Sequence, residues 1–335
     1  MQHTRILGPK ALAQFVVALA LLITFSTGLM VGRHVSSETR TGQANTASGP
    51  YFPYELDQAI RKIELPEILR EASAISYIDR GRIGVVQDEL GTIFICSIID
   101  GRIINQISFA SGGDFEGLAI LNDEAWVLRS DGDLFHVKGL GDANPLTIKV
   151  ETPLDKKDDT EGLTYDAIEK QLLIGLKAPP KLKGKRHKGM RAVYSYKLDR
   201  KFMSESPFLL LNMDEIKRVY SNQVVGNKSE KFKLKMKKDF RPSDLAIHPI
   251  TGHIYHIAAR GQLLVVSDRS GQIYYVRDLP KLMFRQPEGI SFDPRGNMFI
   301  VSEGVDSKAM LFEFKYQPVA RKVEAEAQTS SFSLL

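Results

Sequence analysis

Asp114-Phe115-Glu116-Gly117-Leu118-Ala119-Ile120 decides the fold, because the chain repeats it. Near-copies stand at Asp159-Thr160-Glu161-Gly162-Leu163-Thr164-Tyr165 and at Gln286-Pro287-Glu288-Gly289-Ile290-Ser291-Phe292. A weaker copy, Arg241-Pro242-Ser243-Asp244-Leu245-Ala246-Ile247, carries Ser243 in the Glu slot and Asp244 in the Gly slot. The weakest, Glu71-Ala72-Ser73-Ala74-Ile75-Ser76-Tyr77, has Ser73 in the Glu slot. Counted from Ala74, the fourth positions follow at steps of 43, 45, 82 and 45 residues. About 44 residues make one four-stranded propeller blade. The doubled step is either a blade with a long insertion or a blade whose motif has decayed.

The text around the motif is of one kind: apolar or alternating runs of four to eight residues, such as RIGVVQD, GTIFICSI, QLLIGLKA and NMFIVSE, broken by turn residues. Asp100-Gly101, Asp131-Gly132, Thr251-Gly252, Ser270-Gly271 and Arg295-Gly296-Asn297 fall where hairpins need them. Between residues 71 and 317 the best helix candidate is short, around Met213 to Tyr220. Residues 166–240 hold two interruptions, and subtracting them leaves about one blade. The expected fold is therefore an all-β, five-bladed propeller over residues 51–317, with six blades as the alternative. Blades arranged around an axis leave few open sheet edges.

Composition agrees with a globular domain: 335 residues, 43% hydrophobic and 25% charged. The single Cys96 lies in an apolar run, which predicts a buried strand thiol and excludes an internal disulfide. Residues 11–32 carry no charge over 22 positions, enough for a helix to span a bilayer core. Arg5 and Lys10 precede it and favour a cytoplasmic segment 1–10, so the rest of the chain is translocated. An uncleaved signal anchor in the inner membrane with a periplasmic, extracytoplasmic propeller is the reading, and a cleaved signal peptide is its rival. Residues 33–50 are polar and aperiodic, a tether, and 318–335 form a disordered tail.

Two segments in the long step are basic. The loop KAPPKLKGKRHKGMR holds Lys177, Lys181, Lys183, Lys185, Arg186, Lys188 and Arg191. The run KFKLKMK alternates Lys231, Lys233, Lys235 and Lys237 with apolar residues, a strand with one ammonium face. Solvated surface and edge protection explain both; an anionic membrane, ligand or envelope partner is the functional alternative. No aromatic platform accompanies the lysines, which argues against nucleic acid.

The first strand of each propeller blade lines the channel, so one motif position forms a ring. Glu116, Glu161 and Glu288 would converge with Ser73 and Ser243, and three such carboxylates either rise in pKa or hold a cation. Oxygen ligands without His or Cys point to Ca²⁺. Asp114, Asp159 and Asp244 stand close in sequence, and the second-strand ends Asp88-Glu89 and Glu303 would face the channel mouth. The competing reading is structural, with Glu satisfying backbone donors and Gly allowing close approach. His253 and His256 point to opposite faces of a strand and share no metal. No nucleophile elbow, Walker sequence or Cys-x-x-Cys pair occurs.

DFEGLAI, DTEGLTYD and QPEGISFDPRGNMFIVSEG, behind an N-terminal membrane segment, resemble the SdiA-regulated, YjiK-like family of bacterial propellers, distantly related to the NHL-repeat group. The resemblance covers roughly Leu65 to Tyr316 and implies five blades with a calcium site at Glu116, Glu161, Glu288 and Glu303. Ser73-Ala74-Ile75 and the basic insertion after Leu176 depart from the pattern. The expected function is a membrane-anchored calcium-binding propeller acting as a binding or scaffold module, with metal sites Glu116, Glu161, Glu288, Glu303 and Asp244. The alternative is a metal-dependent hydrolase of phosphate esters or lactones.

Overall fold

A computed structural model describes residues 51–224 and 240–318. Each motif copy becomes the innermost strand of a blade. Blade I comprises β2 (Ala72–Asp79), β3 (Arg82–Gln87), β4 (Thr92–Ser97) and β5 (Ile103–Ser108), following β1 (Arg61–Glu64). Blade II comprises β6 (Phe115–Leu121), β7 (Glu124–Arg129), β8 (Leu134–Lys138) and β9 (Leu146–Val150). Blade III has β10 (Thr160–Asp166), β11 (Gln171–Leu176) and β14 (Met190–Lys197). Its outer edge is shared by β15 (Phe202–Met203) and β16 (Leu209–Asn212), and a small hairpin, β12 (Lys181–Leu182) and β13 (Lys185–Arg186), interrupts it. After α1 (Met213–Val224) comes blade IV: β17 (Asp244–Ile247), β18 (Ile254–Ala258), β19 (Leu263–Ser267) and β20 (Ile273–Asp278). Blade V comprises β21 (Gln286–Phe292), β22 (Met298–Glu303) and β23 (Met310–Phe314).

Blade V takes its fourth strand from the start of the domain. β1 pairs antiparallel with β23, Ile63 opposite Leu311, so the first strand locks the last sheet and closes the ring. The five-bladed expectation holds. The doubled step is one blade with two interruptions, the β12–β13 hairpin and the stretch after β16 that begins with α1. The helix starts at Met213 as the sequence predicts, and the Asn212 side chain caps it by accepting from Asp214 N at 2.8 Å.

Apolar residues from facing sheets fill each gap between neighbouring blades. Ile93 and Val86 of blade I meet Phe115, Val127 and Val137 of blade II, for example, and Leu264 and Val266 of blade IV meet Ile300 and Phe312 of blade V. A middle strand is therefore covered on both faces, which is why β11 and β19 read as unbroken apolar runs, not as alternation. Each such Val, Leu or Ile contributes about 1.5–3 kcal/mol on burial. Cys96 lies inside this packing on β4, fully buried, with its thiol pushed up to about 12 by burial.

The segment 11–32, the tether, Lys233 and Lys235 with the rest of their run, and the tail beyond Pro318 lie outside the described residues. Among the described residues no helix is long and apolar enough to cross a membrane.

Candidate binding site in the axial channel

A backbone irregularity aims the Glu slot at the axis. In β6 the pairing steps from Phe115 opposite Arg129 to Gly117 opposite Leu128, leaving Glu116 as the extra residue of a bulge. The same step skips Ser73 in β2, Glu161 with Gly162 in β10, and Glu288 in β21. A bulge frees its residue from the ladder and redirects its side chain. The Gly slot is the other half of the device. A Cβ on Gly117 would sit 2.6 Å from Leu163 Cβ and 2.9 Å from Leu163 N of the next blade. One on Gly162, which has φ +92°, would sit 2.6 Å from Asp244 Cα. Adjacent inner strands thus touch backbone to backbone, and the bulged side chains converge.

The two serines in the slot are staples. Ser73 donates to Phe115 O at 2.6 Å and Ser243 to Pro287 O at 2.7 Å, each binding its blade to the next. Asp244, expected among the metal ligands, serves the same purpose. It is 1% exposed and accepts from Leu245 N at 2.8 Å and Ile290 N at 2.7 Å, with the Leu163 amide also on it. Its oxygens link three blades, and the structure assigns them to backbone donors. Burial holds its pKa well above the usual carboxylate range.

Glu116, Glu161 and Glu288 are brought together. Burial raises all three; Glu161 acts on Glu116, and Glu288 acts on both. Glu288 is pushed up to about 7, with Glu303 and Asp88 adding to burial. A second acidic tier stands at the strand ends beside this ring. Asp88 is raised to about 6 by burial and by Glu71, and Glu303 is raised by burial while bonded to the Gln286 amide. Asp88 Oδ1 has no hydrogen-bond partner among the described residues.

The cation at this end is a residue of the chain. Lys177 follows β11, and its Nζ bonds Glu161 Oε1. Burial alone would lower the ammonium's pKa, but Glu161, Glu288 and Glu116 overcome that and raise it. Sequence reasoning placed Lys177 in the basic loop. The signal that finds it is its register: it stands one residue beyond the partner of the residue preceding the Glu slot, as Asp88, Ser130 and Glu303 do in blades I, II and V.

A calcium ion takes about six to eight oxygens at about 2.3–2.6 Å. Among the described residues no three acidic or histidine side chains stand close enough to hold one ion, and an ammonium is within electrostatic reach of all three glutamates. With Lys177 bonded among them, the carboxylates do not by themselves enclose such a set of oxygens. In their ionised form such carboxylates attract positive groups and repel anions.

The other candidates separate from this site. Lys183, Lys185 and Lys188 are exposed on or beside the β12–β13 hairpin, while Arg186 bonds Asp158 at 2.9 Å and Pro179 O at 2.8 Å. His256 is buried against Ser267, and His253 stacks on Tyr274, so they do not meet.

Comparisons agree with this fold. The glutaminyl cyclase of Myxococcus xanthus superposes with a TM-score of 0.51 at 15% identity, covering 78% of this chain and 96% of that one. The PQQ-bound aldose sugar dehydrogenase of Streptomyces coelicolor gives 0.46 at 11% identity, over 77% and 98%. At 15% identity the likeness to the cyclase is one of fold alone. No curated protein matches the sequence. Residues 51–306 match the profile of the family described as SdiA-regulated, with the five-fold Glu-slot motif inside the matched span, and the chain belongs to that family.

Proposed function

We propose that the propeller is a binding module that takes a positively charged group at the acidic end of its channel. The observation that carries this is the charge inventory: Glu116, Glu161, Glu288, Glu303 and Asp88 act on one another there, and Lys177 is the cation whose field reaches Glu116, Glu161, Glu288 and Glu303. One ammonium leaves the cluster short of positive charge. An amine or guanidinium of a ligand, or a calcium ion displacing Lys177, would complete it. The apolar run 11–32 supports presentation of the module on the extracytoplasmic side of a membrane, where the exposed lysines of the β12–β13 hairpin add an anion-attracting surface.

The second reading is hydrolysis of a neutral ester or lactone, favoured by a Glu288 carboxyl that titrates near neutral pH and so suits general acid or base work. Phosphate esters are disfavoured at this mouth by its charge.

Titration of the full chain in detergent with putrescine, and separately with Ca²⁺, tests the binding reading. Binding of either cation, weakened about tenfold or more in Glu161→Gln/Glu288→Gln, supports it. Absence of binding by both in folded protein overturns it. If Ca²⁺ binds only after Lys177→Met, the ammonium and the metal compete for one place.

A further inference from the structure

The opposite end of the channel is built differently. Past the Gly slot the motif supplies two more rings. Its sixth positions, Ser76, Ala119, Thr164, Ala246 and Ser291, are small or hydroxylated, and its seventh positions, Tyr77, Ile120, Tyr165, Ile247 and Phe292, are large and apolar or aromatic. All ten line a bowl of about 290 Å³, so every blade contributes one floor residue and one wall residue.

The bowl carries directed donors and no free charge. Ser76 Oγ accepts from Ile120 N and Ser291 Oγ accepts from Tyr77 N, each at 2.9 Å across a blade boundary. These bonds fix the oxygens by their lone pairs and leave the hydroxyl protons available as donors. The charged residue on the lining is Asp293, which is consumed locally. Its oxygens accept from Arg295 N at 2.9 Å, the Arg295 guanidinium at 2.9 Å, Asn297 N at 2.8 Å and Asn297 Nδ2 at 2.9 Å. An ion entering the bowl would lose water without gaining a counter-charge. A cavity of about 150 Å³ takes one benzene ring, so this one has room for a fused pair.

We infer that this bowl is a second binding site, for an uncharged ring compound bearing a hydrogen-bond acceptor such as a carbonyl. The ring packs against Tyr77, Tyr165 and Phe292, and the acceptor receives the hydroxyl protons of Ser76 and Ser291. The site does not depend on the acidic end of the channel.

Coumarin, an uncharged bicyclic carbonyl compound, is a suitable probe, followed by saturation-transfer NMR on the full chain in detergent. We expect saturable binding that falls about tenfold or more in Ile120→Asp, which puts a carboxylate on the wall. Ser76→Ala/Ser291→Ala should weaken it about threefold to tenfold. Naphthalene, which lacks the acceptor, should bind the parent more weakly than coumarin, and Glu288→Gln should bind coumarin as the parent does. Thermal melts confirm that each variant is folded; if Ile120→Asp is not, the serine pair and the naphthalene comparison decide. No saturable coumarin binding to the parent overturns the inference. So does equal binding by the folded Ile120→Asp and serine variants, which would place the probe elsewhere.

Discussion

Lys177 and Glu161, sixteen positions apart in one blade, form an ion pair in which the carboxylate side chain is 4% exposed and the ammonium side chain 33%. Removing one partner of such a pair leaves the other charge buried, at about 3–5 kcal/mol in a closed interior. The partial exposure of Lys177 and the freedom of Glu161 to take a proton reduce this. Lys177→Met is expected to cost about 2 kcal/mol at pH 8, seen as a lower urea midpoint at unchanged slope. At pH 5 the loss should shrink, because burial favours a protonated Glu161 that no longer needs the ammonium.

The acidic end also sets the pH dependence of stability. Burial pushes the Glu288 carboxyl up to about 7 from an ordinary 4.5, and that of Asp88 up to about 6 from 3.8. Between these limits the native state holds more protons than the unfolded chain, so stability falls as pH rises through the window. This is the reverse of a salt-bridged carboxylate. The urea midpoint should decline between pH 5 and pH 8, and Glu288→Gln should flatten that decline. A midpoint that rises across the window, or a slope unchanged in the variant, would refute the assignment.

Much of this was legible because a propeller repeats its demands. Four of the five inner strands bulge at the Glu slot, and those with Gly in the next slot touch the neighbouring strand there, so residues 114–120 and 286–292 look alike and announce the repeat. Long-range partners were not legible. Nothing local in Arg61–Glu64 shows that it completes blade V, because that pairing spans almost the whole domain. Lys177 reads as one basic residue among seven until its register with Asp88 and Glu303 is known. Asp244 reads as a ligand because sequence shows its carboxylate but not the amides of Leu245 and Ile290 that occupy it.

Gly117 offers a direct test of the close approach. A methyl group there meets Leu163 N, which is backbone and does not move without its strand. Gly117→Ala is expected to cost about 1–3 kcal/mol by overpacking. Gly252→Ala is the informative contrast, since nothing lies within 4 Å of a Cβ there and its φ of +70° leaves only the strain of a left-handed residue, about 1 kcal/mol. Chemical denaturation of the two variants separates inter-blade crowding from backbone strain.

Asp166 and Arg269 tie blade III to the β19–β20 hairpin of blade IV through two bonds of 2.6 and 2.7 Å, and Gln171 Nε2 of the same blade holds the Asp166 carboxylate with a bond of 3.0 Å. Burial would raise the Asp166 carboxyl, but Arg269, Gln171 and the Glu169 amide lower it below the usual value. Its contribution is therefore present above its unfolded pKa and lost as pH falls through the folded one. Asp166→Asn keeps the shape but sets an NH₂ group against the guanidinium, so about 2–4 kcal/mol should be lost at neutral pH. Lys217→Ala, which removes a solvent-exposed pair with Asp214 on α1, should change stability by about 0.5 kcal/mol or less. If both substitutions have small effects at pH 7, the fold is held by its apolar inter-blade layers alone, and the Asp166–Arg269 clamp only sets the orientation of the hairpin.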